Sequence, residues 1–82
     1  MSILTAREKQ IFNMLVTNKT TSDIAAILSI SEKTVRNHIS NVIQKLDVTS
    51  RSQAIIELIK LEEIALWGYF FAYLFEWNNM VY

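Results

Sequence analysis

The chain has 82 residues, of which 51% are hydrophobic, and its eight Lys and Arg balance its eight Asp and Glu. This length allows one small domain, and a sequence with one glycine and no proline favours helices joined by short turns over a sheet protein. The absence of cysteine excludes disulfides and cysteine-based metal or redox chemistry, which fits a reducing compartment.

The charges are distributed unevenly along the chain. Residues 1–56 carry seven Lys and Arg against four Asp and Glu, a net charge of +3, whereas residues 57–82 carry one Lys against four Glu, a net charge of −3. The two regions are therefore expected to face different partners. The basic bias of the first region is weak evidence for nucleic acid, because solvated surfaces often carry such a bias. The first ten residues lack the apolar core of a signal peptide.

The first predicted helix covers residues 6–17. It is announced by Thr5-Ala6-Arg7-Glu8, a capping box in which the Thr hydroxyl accepts a free N–H while the Glu side chain reaches back. Apolar residues follow at helical spacing, namely Ile11, Met14 and Leu15.

A second and a third helix follow, separated by only three residues. Thr20 or Thr21 caps the second, with Asp23 placed to favour its positive N-terminus. Its apolar face is formed by Ile24, Ala25 and Leu28. Ser31 caps the third, at about residues 32–46. Two short helices with so tight a turn indicate a helix-turn-helix arrangement. The usual turn glycine is absent, so Ser29 or a neighbour is expected to replace it.

The fourth predicted helix opens at Ser50-Arg51-Ser52-Gln53, interpreted as another capping box. Its apolar residues are Ala54, Ile55, Leu58, Ile59 and Leu61. The chain contains no internal repeat and no low-complexity linker.

The third helix has two different faces when its residues are placed about 100° apart. One is an apolar stripe of Val35, Ile39, Val42 and Leu46, with Ile43 beside it; the other presents Lys33, Asn37, Ser40 and Gln44, flanked by Arg36 and Asn41. The polar face bears no acid from residue 33 to residue 44, whereas a solvated helix usually alternates Glu with Lys. Guanidinium and amide groups are those that read base edges in a major groove. A merely solvated face remains the alternative.

The stretch "LTAREKQIFNMLVTNKTTSDIAAILSISEKTVRNHISNVIQKLDVTSRSQAI" resembles the DNA-binding domain of LuxR-type transcription regulators (the LuxR/FixJ/NarL group), in particular its stand-alone, GerE-like members. The resemblance extends over about residues 4–63. It implies an all-α, four-helix helix-turn-helix domain at residues 1–63, in which the second and third helices read DNA and the fourth forms a dimer. The implied function is that of a cytoplasmic bacterial transcription regulator without a cofactor. Because the motif begins at residue 4, we expect no preceding receiver or ligand-sensing domain.

Site residues are carried over from the resemblance position by position. The positions that read bases fall on Arg36, Asn37 and Ser40, of which Ser40 is short where several relatives have a long cation. Arg36 suits guanine and Asn37 suits adenine. Contacts to phosphate are predicted for Lys33, Thr34, Asn41 and Lys45, together with the capping residues Thr20 and Thr21. A helix N-terminus can bind phosphate through its free N–H groups, although both threonines are equally interpretable as plain caps.

Catalysis and metal binding have no support in the sequence. His38 is the only histidine, and it falls at the edge of the apolar stripe, which favours a packed or rim side chain. With no cysteine and no second histidine, no metal site is predicted. There is no glycine-rich phosphate loop and no nucleophile beside a base. The chain is therefore not expected to be an enzyme.

The C-terminal segment at residues 64–82, "IALWGYFFAYLFEWNNMVY", contains eight of the nine aromatic residues. We interpret it as an extension of the fourth helix. Its apolar run at residues 64–75 is shorter than the ~20 residues that span a bilayer. Contacts between chains, in a homodimer or a higher homo-oligomer, are predicted for Ile55, Leu58, Ile59, Trp67, Phe70, Phe71 and Phe75.

Other roles of this aromatic tail remain open. It could pack back on its own domain, bind a partner protein or lie at a membrane surface, although the flanking acids Glu62, Glu63 and Glu76 disfavour a membrane. The leading hypothesis is a homodimeric regulator that reads DNA. The alternative is an interaction module that sequesters another transcription regulator through residues 64–82.

Overall fold

The structure is a computed structural model that describes residues 3–61 and Ile64. These residues form four helices and, within that part of the chain, no strand: α1 (Ala6–Val16), α2 (Thr21–Leu28), α3 (Glu32–Lys45) and α4 (Arg51–Lys60). The all-α, four-helix prediction is confirmed. The predicted continuation of the fourth helix into an aromatic tail lies outside the described residues.

Each helix begins at a hydroxyl side chain that caps it. Thr5 and Thr20 form complete capping boxes with Glu8 and Asp23, so Thr20, and not Thr21, is the cap of α2. Ser31 caps α3 through the Thr34 N–H at 3.0 Å. Short polar side chains at these positions stabilise a helix by about 1 kcal/mol each relative to alanine.

The cap of α4 differs from the prediction. Ser50 accepts a hydrogen bond from the Gln53 N–H at 3.2 Å, as expected. The Gln53 side chain, however, accepts from the Thr49 N–H at 3.0 Å and from the Thr49 hydroxyl at 2.8 Å. The Gln53 side chain therefore holds the residue before the cap, and no reciprocal box forms at Ser50.

The first three helices end in the same way. Asn18, Ser29 and Asp47 all have positive φ, at 68°, 56° and 54°. In each case the next residue donates its N–H to the carbonyl five residues earlier, at 3.2, 3.0 and 3.2 Å. This is the geometry in which glycine usually ends a helix. The expectation that Ser29 replaces the missing turn glycine is confirmed.

The core is arranged around α3, against which the other three helices pack. Its fully buried side chains come from all four helices, and the largest are Phe12, Ile11, Ile24, Leu58, Val35 and Val42. Phe12 was not among the apolar residues predicted for the first helix. Ile64 is also buried, with 5% of its surface exposed. Ile64, the first residue of the segment predicted as the aromatic tail, therefore belongs to the buried cluster of the core.

Candidate nucleic-acid interface

The two faces of α3 are those that the sequence predicted. Val35, Ile39 and Val42 are buried, and Ile43 and Leu46 are partly buried against the same core. The opposite face is exposed along its length, at Lys33, Arg36, Asn37, Ser40, Asn41 and Gln44. The structure thus brings the three predicted base-reading residues onto one exposed face of α3, and the opposite face of this helix is buried in the core.

Arg36 has a partner that the sequence reading did not anticipate. Its Nη2 donates to Glu32 Oε2 at 2.8 Å, with side chains that are 59% and 42% exposed. The acid-free stretch begins at residue 33, and Glu32 lies one residue before it, four residues from Arg36. The i,i+4 spacing of Glu and Arg was the signal that could have revealed the pair.

Thr34 is half-buried at the start of α3. Its hydroxyl lies 2.9 Å from the hydroxyl of Ser31, which itself caps the Thr34 N–H. The Thr34 side chain therefore takes part in the cap of α3. Its contact with phosphate stays a prediction, as do those of Lys33 and Asn41.

Lys45 lies at the last turn of α3 and is bound to another helix. Its Nζ is 2.5 Å from Glu8 Oε1, and it also donates to the carbonyl of Ile3 at 3.4 Å. The Glu8 side chain is only 4% exposed, whereas that of Lys45 is 36% exposed. Lys45 thus ties the start of α1 to the end of α3, and its predicted contact with phosphate would have to coexist with that role.

Burial and hydrogen bonding act on Glu8 in opposite directions. Burial by itself raises the pKa of this carboxyl, but hydrogen bonds from Lys45 and the Thr5 N–H, with the positive charge of Lys45, together hold the pKa below its ordinary value. Glu8 is consequently a buried carboxylate with defined donors. The sequence identified it only as a capping residue.

The capping threonines of α2 differ in their surroundings. The Thr20 hydroxyl accepts from the Asp23 N–H and the Asp23 carboxylate accepts from the Thr20 N–H, both at 3.0 Å. These bonds with Thr20, helped by the charge of Lys19, lower the pKa of Asp23. Thr21 is half-buried at the first position of α2. The capping role of Thr20 is established by this geometry, and the phosphate contacts stay predictions.

His38 is half-buried on α3, in agreement with its predicted position at the edge of the apolar stripe. Within residues 3–61 and Ile64, no three His, Cys, Asp or Glu come together in a group that could hold a metal ion. In the same part of the chain, no helix combines the length and apolarity needed to cross a bilayer.

The α4 residues predicted to contact another chain differ in their burial. Leu58 is fully buried within the single chain, so its side chain packs α4 against the core. Ile55 and Ile59 are partly buried against the core, whereas Ile56 and Leu61 are 54% and 45% exposed. The other predicted contacts, Trp67, Phe70, Phe71 and Phe75, lie outside the described residues.

The chain is similar to known bacterial regulators along most of its length. Residues 2–58 match the family described as bacterial regulatory proteins, luxR family. The chain is 58% identical over 64 residues to the spore germination protein GerE of Bacillus subtilis (strain 168), which covers 78% of this chain and 86% of that protein. A solved structure of the transcription factor GerE superimposes with a TM-score of 0.79 at 61% identity, covering 80% of this chain and 98% of the other.

Larger regulators match over a smaller share of their length. The chain is 43% identical over 60 residues to the transcriptional regulatory protein DegU of Brevibacillus brevis, which covers 73% of this chain but 25% of that protein. The family match, the GerE similarity and the shared fold agree with the helix-turn-helix geometry described above. The chain belongs to the luxR family of bacterial regulatory proteins and is a DNA-binding transcription regulator.

Proposed function

We propose that the chain binds specific sites in double-stranded DNA as a homodimer, with α3 in the major groove, and thereby regulates transcription in the cytoplasm. The observation that carries the proposal is the exposed face of α3. It presents a guanidinium, three side-chain amides and an ammonium group on a helix whose other face is buried. A protein surface with these donors and acceptors matches the pattern that base pairs present in a major groove.

The base-reading role falls on Arg36, Asn37 and Ser40. A guanidinium can donate two parallel hydrogen bonds to guanine, and an amide can both donate to and accept from adenine. Ser40 is too short for either fork and is assigned a single hydrogen bond or a close approach of the helix backbone. All three side chains are exposed, so no rearrangement of the core is needed to reach a base.

The phosphate-binding role supplies affinity without sequence information. Lys33 and Asn41 flank the base-reading residues on the exposed face of α3. Thr34 and Lys45 lie nearer its two ends, and the start of α2 contributes Thr20 and Thr21. Lys45 can contact a phosphate without releasing its protein partners, because an ammonium group has three N–H donors. Two of them are directed at Glu8 and Ile3, which leaves one for the phosphate.

The homodimer is assigned to α4. Its exposed Ile56 and the partly buried Ile55 and Ile59 lie on one side of the helix. They form an apolar surface that a second copy of the chain would cover in a two-fold dimer. A dimer of this kind places two copies of α3 in successive major grooves, about one helical turn apart. The predicted contacts at Trp67, Phe70, Phe71 and Phe75 would enlarge this interface.

Selection from a random duplex pool tests the proposal. The full chain should enrich an imperfect inverted repeat, and footprinting should show two protected half-sites about one helical turn apart. Enrichment of no sequence would contradict specific DNA binding. A single asymmetric half-site at saturating protein would contradict the homodimer and leave the reading role of α3 intact.

A further inference from the structure

We infer that Glu32 is a specificity-determining residue: it orients the Arg36 guanidinium toward a base edge and weakens its attraction to phosphates of unrelated sequence. The inference rests on the proposed function, because it assigns a role within the same DNA-reading face. It starts from the one acid that α3 contains, Glu32, whose carboxylate accepts a 2.8 Å hydrogen bond from Arg36.

The position of this acid is costly for a helix that binds a polyanion. Among the charged residues of α3, Lys33, Arg36 and Lys45 attract phosphate, and Glu32 alone repels it. Its side chain is 42% exposed, so it is presented to whatever the face approaches. Part of this placement serves the helix itself, since a negative charge in the first turn complements the helix dipole. The second role of Glu32, the orientation of Arg36, is the one that affects DNA binding.

The contact leaves the guanidinium able to read a base. An arginine carries five N–H donors in a planar fork, and the bond from Nη2 to Glu32 uses one of them. Guanine needs two donors for its O6 and N7. With Glu32 as a fixed neighbour, the long and 59% exposed side chain of Arg36 loses part of its rotational freedom before DNA arrives, and less remains to be lost on binding.

The same contact reduces binding to random DNA. Non-specific affinity comes from the release of counterions by cations that neutralise phosphates. A carboxylate at 2.8 Å offsets the charge of Arg36, so that this side chain contributes little to a complex held by phosphates alone. On a specific site the hydrogen bonds of Arg36 to guanine remain. Glu32 therefore weakens the random complex more than the specific one.

Three substitutions separate the two effects. Glu32→Gln removes the charge but keeps a side-chain oxygen that can accept from Arg36. Glu32→Ala removes both. Glu57→Gln makes the same change of net charge on α4, away from the DNA-reading face, and is the matched control. Each variant is measured in the full chain against the duplex selected by the wild type and against a scrambled duplex of equal length, over a range of salt.

We expect Glu32→Gln to bind the scrambled duplex more tightly, with a salt slope steeper by about 0.9 for the one phosphate that Arg36 can now neutralise. Its gain should then be about 3.5-fold larger at about 50 mM than at about 200 mM salt. Affinity for the selected duplex should change much less, so the specificity ratio falls. Glu32→Ala should weaken the selected complex as well, and this second effect should vanish in an Arg36→Ala background.

Equal effects of Glu32→Gln and Glu57→Gln would overturn the inference, because net charge would then explain them. An unchanged specificity ratio in Glu32→Gln would overturn it too. If that variant fails to fold, Glu32→Asp keeps the charge with a shorter reach, and the inference requires weaker binding of the selected duplex with no gain on the scrambled one. A wild type that selects no sequence at all would instead refute the proposed function.

Discussion

The ion pair between Glu8 and Lys45 should contribute measurably to folding, and Lys45→Met is the substitution that tests it. Methionine preserves much of the aliphatic stem and removes the charge. Glu8 then keeps its 2.9 Å bond from the Thr5 N–H and loses its ammonium partner in a site where its side chain is 4% exposed. Removing one partner of a fully buried pair costs about 3–5 kcal/mol.

The expected cost here is smaller, because the Lys45 side chain is 36% exposed. A hydrogen bond to a charged group contributes about 1.5–3 kcal/mol, so we expect Lys45→Met to lower the free energy of unfolding by about 2–3 kcal/mol. For a domain of this size that corresponds to a Tm lower by roughly 10–20 °C. Lys33→Met is the matched control on the exposed face of α3, where a surface substitution should change stability by no more than about 0.5 kcal/mol.

The stability difference between Lys45→Met and the wild type should depend on pH in a defined direction. In the wild type the pKa of Glu8 lies below the ordinary value of 4.5, so its contribution is present above that value and is lost as pH falls through the lowered pKa. In Lys45→Met, burial is no longer opposed by Lys45 and should raise the pKa. The destabilisation should then be largest near neutral pH and shrink as the pH falls toward and below 4.5, because protonation of the carboxyl removes the charge that lacks a partner.

Urea unfolding followed by far-ultraviolet circular dichroism, repeated across this pH range, measures both quantities. Comparing Lys45→Met with the wild type at each pH removes the contribution of Asp23, whose lowered pKa is common to both proteins. The reasoning is refuted if Lys45→Met is as stable as Lys33→Met, or if the difference from the wild type is independent of pH.

Three further predictions concern base reading, turn strain and the aromatic tail. Arg36→Ala should cost about 1–3 kcal/mol on the selected duplex and relax preference at one base pair, whereas Lys33→Ala should weaken all duplexes alike and flatten the salt slope by about one unit; equal losses on selected and scrambled duplexes in a mobility-shift titration of Arg36→Ala would contradict its role. Ser29→Gly should raise the free energy of unfolding by about 0.5–1 kcal/mol, because glycine adopts a positive φ without the steric cost that Ser29 bears, and thermal unfolding that shows a loss would contradict this. Deleting residues 65–82, which spares the buried Ile64, should leave the helical domain folded but weaken self-association by sedimentation and, through mass action, DNA binding; identical association constants would favour self-packing or a partner protein for the tail.

The parts of the fold that were predictable are those encoded within four residues of each other. Thr5, Thr20 and Ser31 each announce a helix because the donor they bind lies three residues ahead in the chain. The two faces of α3 follow from the helical period alone. The exposure of Arg36 and the burial of Val35 therefore required no knowledge of the other helices.

The features that escaped prediction are of two kinds: a contact between residues far apart in sequence, and local side-chain contacts such as the Glu32–Arg36 pair, whose spacing the sequence did show. Lys45 and Glu8 are 37 residues apart, and only the packing of α1 against α3 makes them neighbours. Glu8 was predicted as a cap, but its burial is a tertiary property. At Gln53 the difference is local: its side-chain oxygen accepts from the N–H and the hydroxyl of Thr49 instead of the N–H of the capping residue. The burial of Leu58 within the single chain was also not predictable, because helical spacing alone does not show which apolar residue of α4 faces the core.

The central position of α3 has a consequence for how this regulator moves. Because α1, α2 and α4 all pack against it, opening of α3 would disrupt the core that these helices share. The amides of α3 beyond its first turn should therefore exchange with deuterium more slowly than those of the other three described helices. The face proposed to meet DNA thus lies on the helix that we expect to open least among the four described. Docking on a site then requires no ordering of the α3 backbone, and the conformational entropy lost at this face is that of its side chains.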